Sequence, residues 1–525
     1  MLNQNEINVN IIPENLSSVI PISNPKKENQ EEIHGHISPK IASLNVANSI
    51  LGAGILSLPI SIRFLGIIFG LISFSLISYS SLLTVSWLIQ CYQVTKKKSY
   101  AEISKEILGY KGYLLVLIMV ILNNFGLCCA YFRIFGETMK NILSAFLDKN
   151  NFLITDEYNY HNYLFILFIF ILMGFVIFSE TLEGMESVSF IGVFGILIFA
   201  ITLLIVYIYK LIYNLTLPKF TLNMLFFQNE FIELLTSLPT IILAFAFQIN
   251  VFAIYFTLKN QNTKSMIITS LIGIVFSFFI YSIAGIVGYL MYGNDLNDTI
   301  LNMMFHDIVN YKEQHSFLKW ILIISNIGFL MCSTTGIPLM FFELKKNTFQ
   351  FILILYKLTG RTHKIKKIEK NSKKKKFELN NISDNKEPII TNKIEKTIEN
   401  NIDSSDLNIE TPELKFSKEI NSEEEEKYIE EVEMQNSTKF IIIIIIYCQI
   451  GIITVIIPGL KILFSLVGCT AANAISFIFP GLMFYILIKQ DKIHESKFLP
   501  LFITFVGAFF FVFCLICELY VLVIK

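Results

Sequence analysis

Asn48-Ser49-Ile50-Leu51-Gly52-Ala53-Gly54-Ile55-Leu56-Ser57-Leu58-Pro59 lies inside an apolar run of about 41–63. Two glycines flank an alanine, and a proline follows about one turn on. Glycine costs roughly 1 kcal/mol against alanine inside a helix, and proline roughly 3. Non-helical backbone survives at membrane depth only where protein buries it or where it lines a cavity. The stretch therefore reads as a broken helix whose second half exposes free N–H groups around Gly52, Ala53 and Gly54. Those groups sit at a positive dipole end and suit a carboxylate. Close packing through small residues is the competing reading.

Two later runs are interrupted in the same way. Around 232–257 the chain reads Ser237-Leu238-Pro239-Thr240 and then Ala244-Phe245-Ala246-Phe247-Gln248-Ile249-Asn250. The amides of Gln248 and Asn250 are costly in hydrocarbon unless they face protein or water. The run at 317–343 holds Ser325, Asn326, Cys332, Ser333, Thr334, Thr335, Gly336 and Pro338. Its hydroxyls and freed carbonyls suit a hard cation, although Ser and Thr in membrane helices commonly bond back to their own backbone. In the third run Asn123 and Asn124 sit mid-membrane, either lining a cavity or packing between helices. Arg133 and Glu137 are spaced four apart, as an ion pair on one helix face.

The composition makes these runs membrane spans. The chain has 525 residues, 54% of them hydrophobic and only 16% charged, with a mean hydropathy of +0.59. Soluble domains carry about 25% charge. A secreted scaffold, a nucleic-acid binder and a cytosolic enzyme are excluded as main readings. Roughly 20 apolar residues cross a bilayer as helix. Eleven runs qualify, near 41–63, 66–90, 113–145, 162–178, 188–212, 232–257, 266–292, 317–343, 438–458, 461–488 and 498–523. All eight cysteines fall in or beside such runs, which argues against an extracellular disulfide framework. No nucleotide loop, catalytic triad or metal-ligand spacing appears, and residues 1–33 lack the apolar core of a signal peptide.

Charge placement orients the runs. Residues 345–433 hold eighteen Lys/Arg and eighteen Asp/Glu, 36 of the chain's 84 charges. The domain reading is a disordered cytoplasmic N-terminus at 1–38, eight spans at 39–343, a disordered charged linker at 344–437 and three spans at 438–525. Lys96, Lys97, Lys98, Lys105 and Lys111 follow the second run, and Lys489, Lys492 and Lys497 follow the tenth. Basic loops stay in the cytoplasm, so the N-terminus and the linker are expected there. Asn214 and Asn297 then head glycosylation triplets on the outer side. Within the linker, 345–376 holds twelve basic residues against one acid, and 399–433 holds thirteen acids against three lysines. The basic part is able to touch anionic lipid; a solvated, self-compensating linker is the plainer reading. Glu180, Glu183 and Glu186 fall in a short cytoplasmic loop. Glu518 stands inside the last apolar run, either as an interhelical contact or as a proton site.

The first and sixth runs are the broken ones and lie five apart. That spacing suggests a five-plus-five inverted repeat with its site at mid-membrane. At its NSILGAGILSLP segment the chain resembles the amino acid/auxin permease family, particularly its neutral amino acid transporters. Tyr100-Ala101-Glu102-Ile103 with Gly109, Pro239 with Phe245-Ala246-Phe247-Gln248, Ile280-Tyr281 with Gly288-Tyr289 and Gly293, and Phe479-Pro480 are similar to further segments of that family.

The resemblance implies an all-α, LeuT-like fold of ten helices plus one, moving neutral amino acids by alternating access. Candidate substrate contacts are Ser49, Gly52, Ala53, Gly54, Asn124, Phe245, Phe247, Gln248 and Asn250. In sodium-coupled relatives an Asn of the first helix and a Thr three residues before a proline of the eighth serve the cation; here those are Asn48 and Thr335. Several relatives follow the sixth-helix Gln with Cys-His, where this chain has Ile249-Asn250, so the substrate and the choice of Na⁺ or H⁺ stay open. The expected partners are an amino acid and the bilayer, with no nucleic acid and a monomeric transport unit. No cofactor beyond the coupling ion is expected. The plasma membrane and the vacuolar or lysosomal membrane are both compatible. A membrane amino acid sensor signalling through its linker is the alternative. An ion channel is a third reading, and no filter-like repeat supports it.

Overall fold

A computed structural model describes residues 37–147, 160–177, 185–226, 231–296, 299–311, 315–358, 436–457 and 459–524. Among them the regular structure is helical, with loops between helices and one isolated parallel bridge between Ile37 and Leu258. The first apolar run forms α1 (Pro39–Ile50), a 3-10 turn (Ala53–Ser57) and α2 (Leu58–Leu65). The two halves meet at 53°. Then follow α3 (Ile67–Thr95), α4 (Tyr100–Ser144), α5 (Tyr160–Ile177) and α6 (Met185–Ile212). The sixth run is α7 (Phe231–Ala244), a 3-10 turn (Gln248–Asn250) and α8 (Val251–Thr257). It is unwound over residues 245–247 without a bend like that of the first run.

Beyond it lie α9 (Thr263–Tyr292), a short α10 (Ile300–Tyr311) and α11 (Ser316–Leu358). The final group is α12 (Asn436–Ile456), α13 (Leu460–Val467), α14 (Phe479–Lys489) and α15 (Phe498–Ile524). Two π-helical stretches, Gly468–Ala472 and Ala474–Ile478, join α13 to α14.

Every expected run is thus helical. Nine described helices are individually long and apolar enough to cross a membrane, and the bent first pair makes a tenth. Tyr163–Ile177 is apolar but shorter, so eleven crossings remain an expectation. This is a multi-pass membrane protein.

Three boundaries differ from the sequence reading. The helix of the eighth run does not stop at 343 but continues to Leu358. Its 43 residues span about 64 Å at 1.5 Å each, twice the ~30 Å hydrocarbon core. The charged pair Lys345 and Lys346 does not end the helix, and no Gly or Pro follows before Gly360. At the N-terminus Ile37 is held in place: its N–H donates to the Thr257 carbonyl at 3.0 Å, and its carbonyl accepts from Lys259 at 2.9 Å. The third run is preceded by a separate helix, because Gly109 adopts φ 70° and turns the chain. Residues 1–36, most of the charged linker, Glu180, Glu183 and Asn297 lie outside the described residues. Glu186 falls on the backbone of α6.

Small residues set the closest helix crossings. A Cβ added to Gly195 would stand 2.4 Å from the Gly328 carbonyl oxygen, and one on Gly468 only 2.0 Å from that of Pro239. With apolar lipid on the outside, such backbone approach is what holds membrane helices together. It binds α6 to α11 and the first π-helical stretch to α7.

The two ends of the bundle differ in chemistry. At one end the Gln90 amide donates to Glu495 at 3.2 Å, which joins the two lysine-rich loops on one face. At the other end a polar layer surrounds α10. Arg63 donates to the Leu296 carbonyl, and Arg133 donates to the Ile457 carbonyl. Arg133 also pairs with Glu137 at 3.4 Å, the expected four-residue pair. Glu137 in turn accepts from Thr299 at 3.3 Å. Asn141 donates to the Leu301 carbonyl at 3.0 Å and to Asn326 at 2.9 Å. Buried Lys210 bonds Asp307 at 2.8 Å, and Asp307 also accepts from Tyr292 at 2.6 Å.

Candidate functional site

Both helix breaks open onto one cavity of about 190 Å³. From the first run Asn48, Ser49, Ile50, Leu51, Gly52, Ala53 and Gly54 line it. From the sixth run come Leu243, Ala244, Ala246, Gln248, Ile249 and Asn250. Asn123, Leu127 and Tyr131 of α4, Tyr281 of α9, Thr335 and Met340 of α11, and Ser476 between α13 and α14 close it. No charged side chain is among the lining residues.

The first break leaves backbone donors unpaired. Gly52 is extended, with φ −140° and ψ −169°, a conformation open to any residue. Its N–H reaches the Tyr281 hydroxyl at 3.4 Å, and Ile55 donates to the Gly52 carbonyl at 3.3 Å. The N–H groups of Ala53 and Gly54 donate to no described group. Together with α2, which follows directly, they present a positive dipole end to the cavity.

The second break presents the opposite polarity. The Ala244 carbonyl, at the C-terminus of α7, is 3.3 Å from the Tyr281 hydroxyl. The Phe245 carbonyl accepts from Ser81 at 3.0 Å, and the Phe247 carbonyl accepts from the Asn250 N–H at 2.9 Å. The Ala246 carbonyl takes up no described hydrogen bond, and Ala246 lines the cavity. Of the three carbonyls in the unwound turn, that of Ala246 is the one with no described hydrogen bond.

Tyr281 joins the two breaks. Its hydroxyl donates to the Ile50 carbonyl at 2.5 Å, with the Ala244 carbonyl as a second, longer acceptor. One hydroxyl thus satisfies the end of α1, faces the end of α7 and accepts from Gly52. The sequence offered Tyr281 only through a family likeness, because a lone tyrosine in an apolar run carries no pattern of its own.

The other sequence candidates divide into two groups. Ser49, Gly52, Ala53, Gly54, Gln248, Asn250, Asn48 and Thr335 all line the cavity. Gln248 does so with its amide fully engaged. It accepts from Phe247 N–H at 3.0 Å and Ser476 at 2.7 Å, and donates to Ser81 at 2.8 Å and Thr84 at 3.2 Å. It is a buried strut that fixes the unwound turn. Asn124, Phe245 and Phe247 do not line the cavity. Successive helical residues turn by about 100°, so Asn123 faces the cavity and Asn124 stands behind it, accepting from Asn123 at 3.4 Å. The Phe245 ring packs edge-on against Phe74 at 5.9 Å and Tyr281 at 5.4 Å. Phe247 is buried at 1% exposure.

Thr335 donates to the Cys332 carbonyl at 3.1 Å. That bond uses the hydroxyl proton and leaves oxygen lone pairs for a cation. The contribution of the tenth run was not anticipated. Ala472, Ile475 and Ser476 reach the cavity from π-helical turns, which recur at functional sites. The small, polar stretch Gly468-Cys469-Thr470-Ala471-Ala472-Asn473 was the available signal.

Two interrupted membrane helices, with opposite dipole ends facing an uncharged cavity, are an arrangement in which membrane transporters hold their substrates. The chain matches the family described as "Transmembrane amino acid transporter protein" over residues 35–524, and it belongs to that family. It is similar to amino acid transporter AVT6E of Arabidopsis thaliana, 25% identical over 63% of this chain and 66% of that protein. It is also similar to vacuolar amino acid transporter 2 of Saccharomyces cerevisiae, 25% identical over 57% and 60%. A third relative is sodium-coupled neutral amino acid transporter 7 of Xenopus laevis, 20% identical over 58% and 64%. The chain spans just under two thirds of the length of each.

Proposed function

We propose that this protein is a secondary transporter that moves neutral amino acids by alternating access, coupled to Na⁺ or H⁺, on an inverted-repeat scaffold of eleven spans. The observation that carries this reading is the pairing of donors and acceptors across the cavity. The N–H groups of Ala53 and Gly54 meet a carboxylate, and the Ala246 carbonyl with the end of α7 meets an ammonium. With no charged lining residue, a zwitterion enters with its charges matched by backbone alone. Leu127, Val193, Ile196 and Ile475 offer apolar surface to its side chain.

In this reading the coupling cation, when sodium, lies between Asn48 and Thr335, completed by carbonyls from the last turn of α1. A small hard cation takes oxygen ligands. Cation and carboxylate then attract each other, so each raises the other's affinity by the same factor. The relatives' names support amino acids as cargo, and the name of the yeast relative supports a vacuolar membrane as one location.

The test is uptake of labelled neutral amino acids into vesicles carrying the protein, with and without imposed Na⁺ and H⁺ gradients. Gradient-driven accumulation supports the proposal. Absence of both uptake and exchange for all amino acids would overturn it.

A further inference from the structure

Ser465 of α13 stands between two acceptors on different helices. Its hydroxyl lies 3.0 Å from the Thr236 carbonyl of α7 and in close contact with Oε1 of Glu518 on α15. A hydroxyl has one proton to give, and an ionised carboxylate only accepts. An ionised Glu518 and the Thr236 carbonyl would therefore compete for the single Ser465 proton. A protonated Glu518 removes the conflict: its O–H donates to Ser465 Oγ, and Ser465 donates to Thr236. The chain of donors closes only with a proton on the carboxyl.

The three groups are enclosed in the protein. Glu518 is 2% exposed, Ser465 0% and Thr236 4%. Leu235, Cys469 and Cys514 form an apolar cluster there, with Phe510 and Cys517 packed against it. On α13 the cation is Lys461, four residues before Ser465, and its ammonium lies 4.1 Å from the centroid of the Phe64 ring. On α7 the acid is half-buried Glu233, one turn before Thr236. Along α15 itself the titratable groups are Cys514, Cys517 and exposed Tyr520.

We propose that Glu518 is a proton-binding site whose occupancy is relayed through Ser465 to the interrupted helix α7, and that this proton is coupled to transport. Release of the proton to water leaves a carboxylate. Ser465 then turns its hydrogen to Glu518, and the Thr236 carbonyl loses that bond. Thr236 lies two turns before the break at Ala244, so the proton biases how α7 packs on α13. The coupling half of this proposal rests on the transport reading; the proton site itself does not.

The experiment uses the full chain reconstituted in liposomes, with Glu518→Gln as the variant. A glutamine keeps a donor toward Ser465 and so preserves the closed chain. The natural protein is expected to show a protonated-carboxyl C=O band in its infrared spectrum at neutral pH, shifted in heavy water and absent from Glu518→Gln. Ser465→Ala should shift that band without abolishing it. In transport, Glu518→Gln should keep exchange of labelled for unlabelled amino acid and lose stimulation by a pH gradient. A band unchanged in Glu518→Gln would overturn the site, and a natural response of that variant to pH gradients would overturn the coupling. Loss of the band in the variant, with no exchange even by the natural protein, would overturn the transport reading and leave the proton site standing.

Discussion

Gly54 rests against Ala244: a Cβ built on Gly54 would stand 3.5 Å from both the Cα and the Cβ of Ala244. The break of the first run therefore touches the break of the sixth with room for one methyl group and nothing larger. Gly54→Ala is expected to leave uptake close to natural. Gly54→Val forces branched carbons into α7, and overpacking costs about 1–3 kcal/mol, which, felt at the site, is about fivefold to a hundredfold in substrate affinity. Uptake kinetics should show this loss while the protein still reaches the membrane in normal amount. Unchanged apparent affinity in Gly54→Val would put the substrate elsewhere.

Tyr281→Phe separates the hydroxyl from the ring. The ring contact with Phe245 at 5.4 Å remains, whereas the bonds to Ile50, Gly52 and Ala244 disappear. A buried carbonyl left without its donor costs about 1–3 kcal/mol. The expected result is an apparent affinity weakened roughly tenfold, since the hydroxyl holds the two breaks in register. Uptake against substrate concentration, beside a thermal melt of purified protein, tests whether the loss lies at the site or in the fold.

The bundle was legible because its signals are local. Apolar length gives the spans, and Gly52 with Gly54 and Pro59 gives the first break. What the sequence could not give depends on rotation about helix axes and on partners far along the chain. Asn123 and Asn124 are indistinguishable as letters, and only the helical phase of α4 turns one of them inward. Gln248 reads as a binding amide until Ser81, Thr84 and Ser476, distant in sequence, are seen to claim all its capacity. The π-helical turns of the tenth run leave no periodic trace, yet they bring Ala472 and Ser476 to the cavity.

Thr335→Ala addresses the cation. Substrate and cation sites are separate in the proposal, so removing the hydroxyl should weaken the apparent Na⁺ affinity several-fold or more. Substrate affinity at saturating Na⁺ should change far less. Uptake measured against Na⁺ at fixed pH, and against pH at fixed Na⁺, provides the readout. Indifference to Na⁺ in the natural protein would remove sodium from this position and leave Thr335 as a residue that bonds back to Cys332.

Sidedness has its own test. The hydrogen bond between Gln90, in the last turns of α3, and Glu495 puts the starts of the two lysine-rich loops on one face, and the positive-inside rule predicts that face to be cytoplasmic. Tags placed at 380–430 should be reached by protease only after the membrane is permeabilised from the cytoplasmic side. Cleavage of intact cells or vesicles from the opposite side would invert the arrangement.

Lys210 and Asp307 offer a stability measurement. The pair joins the end of α6 to α10 at 2.8 Å, with Tyr292 bonding the same carboxylate at 2.6 Å. The Lys210 ammonium also lies 4.9 Å from the Tyr292 ring centroid. Breaking a buried pair by removing one partner costs about 3–5 kcal/mol, because the other charge stays behind uncompensated. Replacing both partners with apolar groups of similar volume is commonly close to neutral. Lys210→Met should therefore lower the melting temperature of the purified protein sharply. Adding Asp307→Leu should recover much of the loss, although Tyr292 then forfeits its acceptor. A double variant as unstable as the sum of the two single variants would mean that the residues do not act as a pair. If the single variants leave stability unchanged, the contact is not formed in the membrane-embedded protein.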